Sequence, residues 1–188
     1  MLKIEEEIKK VLPSVIKWRR QIHQFPELGF KEFKTASLIT DVLDNSGLKI
    51  VRYDDSTGVI VELDGDKPGP TVGFRADMDA LEVAEQVDVP FKSKHKGIMH
   101  ACGHDFHVAI LMGVAKILSS HKDKIEGKII FVFQPAEEAP PGGAQDLVKR
   151  GLFKDFNIDS MMALHVARDL KVGHIQITPG YSSANTDG

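Results

Sequence analysis

The segment from Asp105 to Ser120 sets the tightest limit on what this chain can fold into. Phe106, Val108, Ile110, Leu111, Met112, Val114, Ile117 and Leu118 leave little polar face. A helix apolar on most sides has to be buried or laid on a sheet. Strand-like runs stand on both sides of it. Upstream, Leu48–Tyr53, Gly58–Leu63 and Thr71–Ala76 are short and rich in β-branched or aromatic residues, with a turn expected over Asp64–Pro70. Downstream, strands are expected over Lys128–Phe133, about Ser160–Val166 and about Val172–Thr178, with a short helix near Ala144–Arg150. Two N-terminal helices are expected, over about Ser14–Gln24 and about Lys31–Asn45, separated by Pro26-Glu27-Leu28-Gly29. Gly47 stands just past the second, where a left-handed C-cap is favoured. This alternation predicts an α/β fold with a mixed sheet flanked by helices.

A chain of 188 residues is long enough for one domain with a real core, and 42% hydrophobic with 27% charged residues reads as soluble and globular. A formal net charge of -3 offers no basic field to nucleic acid. The single cysteine excludes an internal disulfide and a cysteine-rich structural zinc site. It also leaves a thiol redox mechanism without a resolving partner in the chain. The first residues, Met1-Leu2-Lys3-Ile4-Glu5-Glu6-Glu7, lack the apolar run of a signal peptide, and no apolar stretch is long enough to span a bilayer. A cytoplasmic protein with no nucleic-acid or membrane partner is expected.

In open α/β sheets, ligands bind beyond the carboxyl ends of the strands, and the candidate reactive residues fall there. Cys102-Gly103-His104 lies immediately before the apolar helix. Ligands at i and i+2 of an extended segment point the same way, and the glycine lets the backbone bend close to an ion. The pair reads either as metal ligands or as a small buried hydrophobe beside a hydrogen-bonded loop histidine. Glu137 and Glu138 follow a strand; in a metal hydrolase one can bind the ion while the other takes a proton from water, and otherwise they are a solvated acidic loop. Asp77 ends a strand, where a carboxylate can orient a histidine or cap a helix. Asp79 reads as a cap or as a salt-bridge partner of Arg75. His165, after Met161-Met162-Ala163-Leu164, is a ligand or a hydrogen-bonded near-core residue. His100 and His107 compete as ligands, whereas His23, His95, His121 and His174 read as structural or solvated. Gly142-Gly143-Ala144 reads as a helix lead-in more than as a backbone cradle.

Taken together, the blocks are more specific than any one of them. Arg19-Arg20-Gln21-Ile22-His23-Gln24-Phe25-Pro26-Glu27-Leu28, Phe74-Arg75-Ala76-Asp77-Met78-Asp79-Ala80-Leu81, Met99-His100-Ala101-Cys102-Gly103-His104-Asp105, Phe133-Gln134-Pro135-Ala136-Glu137-Glu138 and Ala163-Leu164-His165-Val166 occur in one order. That order resembles the two-metal amidohydrolase and carboxypeptidase family of hippurate hydrolase, plant auxin-amino-acid hydrolases and N-acetyldiaminopimelate deacetylase. The resemblance implies a zinc-exopeptidase-like catalytic domain acting on N-acyl amino acids or short peptides with two divalent ions, zinc, manganese or nickel. It implies Cys102, His104, Glu138 and His165 as metal ligands, Glu137 as general base and acid, and Asp77 as support for the site. Pro140-Pro141-Gly142-Gly143-Ala144 and Gly180-Tyr181-Ser182-Ser183-Ala184-Asn185-Thr186 are most similar to the diaminopimelate deacetylase branch. Members of the family are about twice this long. The resemblance therefore implies that residues 1–188 are the N-terminal portion of the catalytic domain. The domain through which members dimerise, and a later segment carrying a further histidine ligand, are expected to be missing. An inactive fragment that binds metal weakly or not at all is the alternative expectation.

Overall fold

In the computed structural model, which describes residues 4–177 and 179–180, the elements are α1 (Ile4–Gln24), α2 (Phe33–Leu43), β1 (Lys49–Arg52), β2 (Val59–Asp64), β3 (Lys67–Asp77), α3 (His104–Ser119), β4 (Glu126–Gln134), α4 (Gly143–Lys149), α5 (Leu152–Phe156) and β5 (Ser160–Ala163). The strands form one mixed sheet in the order β1-β2-β4-β3-β5. β2 is antiparallel to β1 and β4, whereas β3 is parallel to β4 and β5.

Side-chain alternation decides the layers, because successive strand residues face opposite sides of a sheet. Val59, Val61, Leu63, Phe131 and Phe133 pack with Ile22 of α1, Ile39 and Leu43 of α2, and Val108 and Met112 of α3. Ile60, Ile130 and Val132, one residue out of phase, pack with Leu147 of α4 and Leu152 of α5. The apolar α3 thus lies against the sheet, as its composition requires. The parallel strands β3, β4 and β5 end on the same rim of the sheet. No helix among the described residues is long and apolar enough to cross a membrane.

β2 and β3 are joined by a tight turn yet do not pair, because β4 lies between them. The chain from β2 to β3 therefore passes close over the start of β4. Gly127 sits at that crossing with φ +84°, and a Cβ there would stand 1.9 Å from the Pro70 carbonyl oxygen. Both the backbone angle and the space demand glycine. Gly127→Ala is expected to cost more than about 2 kcal/mol. Urea denaturation measures this, and an unchanged midpoint would contradict the crossing.

Four sequence expectations are corrected. The first helix begins at Ile4 rather than Ser14 and runs through Pro13; the carbonyl that Pro13 cannot bond belongs to Lys9, an exposed residue. The turn is confined to Gly65-Asp66, and Pro68 and Pro70 lie within β3, where the register shifts between Lys67 and Thr71 and a proline removes no regular ladder bond. The strand expected over Ser160–Val166 stops at Ala163. No strand forms over Val172–Ile177: those residues meet no partner strand, and Val172, Ile175 and Ile177 are fully exposed or nearly so. Thr178, and Tyr181–Thr186 of the expected family-like segment, lie outside the described residues. Gly47 does take the expected left-handed conformation, at φ 65°.

Candidate metal centre

One strand end, two loops and one helix start converge on the rim. Asp77 closes β3, Glu137 and Glu138 follow β4, and His165 follows β5. Cys102 leads into α3, whose first residue is His104. Gly103 between them has φ +88°, and a Cβ on it would approach Val166 Cγ2 to 2.5 Å. The missing side chain is what lets the start of α3 lie against the His165 segment.

His104 is the centre of the cluster. It is fully buried, and its Nδ1–H donates to the Asp79 carbonyl at 3.0 Å. That bond leaves the Nε2 lone pair facing the site. Nε2 is buried and has no hydrogen-bond partner. Around it stand Asp77 Oδ1 at 3.7 Å, Glu137 Oε2 at 3.9 Å and Glu138 Oε1 at 3.9 Å. Across the site, Cys102 Sγ lies 3.4 Å from His165 Nε2, and His165 Nδ1–H donates to the Val166 carbonyl at 2.8 Å. Both imidazoles therefore have Nδ1 tied to backbone and Nε2 turned inward.

Donor atoms fall into three groups, each within 4.8 Å: Cys102, His104 and His165; Asp77, His104 and His107; and His104, Glu137 and Glu138. His104 belongs to all three. The second group is less open than it looks. His107 Nδ1–H donates to Asp77 Oδ1 at 2.5 Å, and its Nε2 accepts the Val166 amide at 3.0 Å, so both nitrogens are engaged. His107 thereby ties the His165–Val166 segment to Asp77. Asp77 also pairs with Arg75 at 2.8 Å. His100 is buried with neither nitrogen partnered and belongs to none of these groups; burial drops its pKa to about 4.

The electrostatics favour a cation. Burial raises the Cys102 thiol, as do a hydrogen bond to Glu138 and the charges of Glu138, Glu137 and Asp77, until it reaches about 12. Burial and the Glu138 charge likewise hold Glu137 above the ordinary carboxylate value. Burial alone would lower the His104 pKa, but Asp79, Asp77 and Glu137 reverse that and raise it. Burial would raise Asp77, yet the His107 bond and the charges of His104 and Arg75 hold it below its usual value. An orphaned buried imidazole nitrogen, ringed by a thiol, a second imidazole and carboxylates with unbalanced negative charge, is a donor set that fits a divalent metal.

The structure overturns the bland reading of Asp79 and gives the structural reading of His23 its partners. Asp79 is neither a helix cap nor a partner of Arg75. It is buried, and its carboxylate accepts the amides of Glu137 at 3.0 Å and Glu138 at 2.9 Å. His23 is structural, as expected: buried on α1, it meets Asp105 Oδ2 at 2.7 Å and Glu85 Oε1 at 3.0 Å. With the Arg19–Asp105 pair at 2.8 Å, it pins α1 to the first turn of α3 beside His104. Gly143 opens α4, so the glycine pair is a helix lead-in.

Comparison with known proteins agrees with this geometry. Residues 73–185 match the sequence profile of peptidase family M20/M25/M40. The chain is 44% identical over 179 residues to N-acetyldiaminopimelate deacetylase of Listeria innocua, covering 94% of this chain and 47% of that protein. It is 42% identical over 187 residues to N-acyl-L-amino acid amidohydrolase of Geobacillus stearothermophilus, covering 97% and 50%. The fold is similar to the crystal structure of the Bacillus subtilis YXEP protein, a dinuclear metal binding peptidase from the M20 family. The TM-score is 0.83 and the identity 38%, covering 88% of this chain and 45% of that one. The chain spans about half the length of the curated relatives it matches.

Proposed function

The chain belongs to peptidase family M20/M25/M40, and from that membership and the geometry around His104 we propose that it serves metal-dependent hydrolysis of the amide bond of N-acyl amino acids. Deacetylation of N-acetyldiaminopimelate is the first substrate to try, and a carboxypeptidase reaction on short peptides is the neighbouring one. The observation that carries the reading is His104 Nε2, buried, unpartnered and surrounded by donors. In this reading residues 1–188 are the N-terminal portion of the catalytic domain.

Cys102, His104, Glu138 and His165 would hold two divalent ions, zinc, manganese or nickel. Bound there, such ions supply Lewis-acid polarisation of the scissile carbonyl and acidify water. Glu137 takes the proton from the attacking water and hands it to the leaving amine. Its pKa, raised by burial and by Glu138, suits a group that must both accept and return a proton. Asp77 works behind the site, holding His107 and through it the backbone next to His165.

A second reading has its own observations: the chain spans half the length of its relatives, and His165 lies on an exposed segment past the end of β5. In that reading the chain binds metal weakly or not at all and turns nothing over. An assay on a panel of N-acyl amino acids with added zinc or manganese, run beside elemental analysis, separates the two. Turnover that rises with metal and stops with chelator supports the first. Absence of both turnover and bound metal supports the second.

A further inference from the structure

The turn that carries Glu137 and Glu138 is held in an unusual way. Ala136 adopts φ 46°, a left-handed angle in a residue with a side chain. Three successive amides of that turn point inward, at Ala136, Glu137 and Glu138. Such runs of backbone N–H groups form concavities that bind anions. Here the anions belong to the protein. Glu32, wholly buried at the start of α2, accepts the Ala136 amide on Oε1 at 2.8 Å and the Thr57 hydroxyl on Oε2. Asp79 accepts the Glu137 amide on Oδ1 and the Glu138 amide on Oδ2. The Asp79 carbonyl also takes the Nδ1–H of His104. One residue therefore fixes the backbone of both carboxylates and the tautomer of the central imidazole.

We infer that Asp79 is a positioning residue for the metal site, an assignment that rests on the metal-hydrolase reading of the cluster. It touches none of the reacting atoms. It works by holding Glu137 and Glu138 at a fixed reach from His104 Nε2 before any cation arrives, so that binding needs no reordering of the turn.

The two carboxylates differ in a way that makes the idea testable. Both oxygens of Asp79 accept from backbone amides, which cannot reverse. An Asn at 79 would have to turn its NH2 toward one of those amides, so the turn loses a bond and gains a repulsion. Glu32 meets the Ala136 amide on one oxygen and the Thr57 hydroxyl on the other, and a hydroxyl can reverse. A Gln at 32 can accept from Ala136 and donate to Thr57.

The experiment titrates Zn2+ alone into the wild-type chain, Asp79→Asn and Glu32→Gln, with far-UV circular dichroism as the fold control. Amide exchange at Glu137 and Glu138 is followed by NMR in the metal-free wild type and in Asp79→Asn. Asp79→Asn is expected to keep its fold and lose at least about tenfold in zinc affinity. Glu32→Gln is expected to stay within about twofold of wild type. The two wild-type amides are expected to exchange at least about tenfold more slowly than unprotected amides, and to lose that protection in Asp79→Asn. Wild-type zinc affinity in Asp79→Asn, an equal loss in Glu32→Gln, or unprotected amides in the wild type each overturn the assignment. The amide measurement on the wild type stands even where Asp79→Asn fails to fold. Zinc binding absent from the wild type, with the amides still protected, overturns the metal reading and leaves the clamp itself standing.

Discussion

Glu137→Gln is expected to lower turnover of an N-acyl amino acid by about 10²–10⁴-fold, the usual worth of a positioned general base, while the bound metal stays as in the wild type. Gln has nearly the volume of Glu and keeps its Oε1 toward the site, but it cannot take a proton from water or return one to the amine. The backbone of residue 137 is held by Asp79 through its amide, so the substitution should not disturb the turn. Its side chain is half-exposed, so no core packing is lost. Elemental analysis beside the kinetic assay decides the matter. Loss of metal together with activity would make Glu137 a ligand, and retained activity would move the base elsewhere, with Glu138 as the nearest carboxylate.

Much of the frame was legible in the chain, and for identifiable reasons. The residues of α3 leave little polar face, which favours burial whatever else the chain does. The strands β2 and β4 carry near-continuous apolar runs, Val59–Val61 with Leu63 and Ile129–Phe133, as strands covered on both faces do. The start of α1 was missed because Ile4, Ile8, Leu12 and Ile16 form a half-exposed stripe rather than a buried one, and Pro13 reads as a breaker. The five-residue α5 is too short to show a period. Val172–Ile177 has the residues of a strand, but a strand exists only with a neighbour, and none pairs with it among the described residues.

The site divides in the same way. Thiol, imidazole and carboxylate side chains made Cys102, His104, Glu137, Glu138 and His165 candidates beside blander readings, and the family resemblance, more than residue type, singled them out. Of what holds them in place, Asp77 was a candidate too, but the carboxylates that hold the Glu137–Glu138 turn were not. Asp79 meets backbone amides 58 and 59 residues away, and Glu32 one 104 residues away. An amide has no identity in a sequence, so a carboxylate that serves amides looks like any surface acid. His107 was nearer to legibility: it lies one turn past His104 on α3, on the same face. The supporting residues are thus the part of a site that needs coordinates.

His104→Ala is expected to abolish stoichiometric metal binding, whereas Cys102→Ala is expected only to weaken it. The difference follows from where each donor stands. His104 is common to all three donor groups, and Cys102 belongs to one. Removing Cys102 leaves His104 and the two glutamates within reach of one another, together with a less crowded set of negative charges. Removing His104 leaves the thiol–imidazole pair on one side and the acidic pair on the other, with nothing between them. Loss of even a supporting partner of a metal ligand costs about 10–100-fold in affinity, so loss of the shared ligand should exceed about 100-fold. Because His104 is wholly buried, the variant also opens a cavity and strips the Asp79 carbonyl of its donor. A far-UV spectrum and a thermal melt must accompany the equilibrium dialysis. A folded His104→Ala chain that holds metal as the wild type does would remove this cluster from consideration as a metal centre. Equal losses in the two variants would mean that the ion sits between Cys102, His104 and His165 alone, without the glutamates.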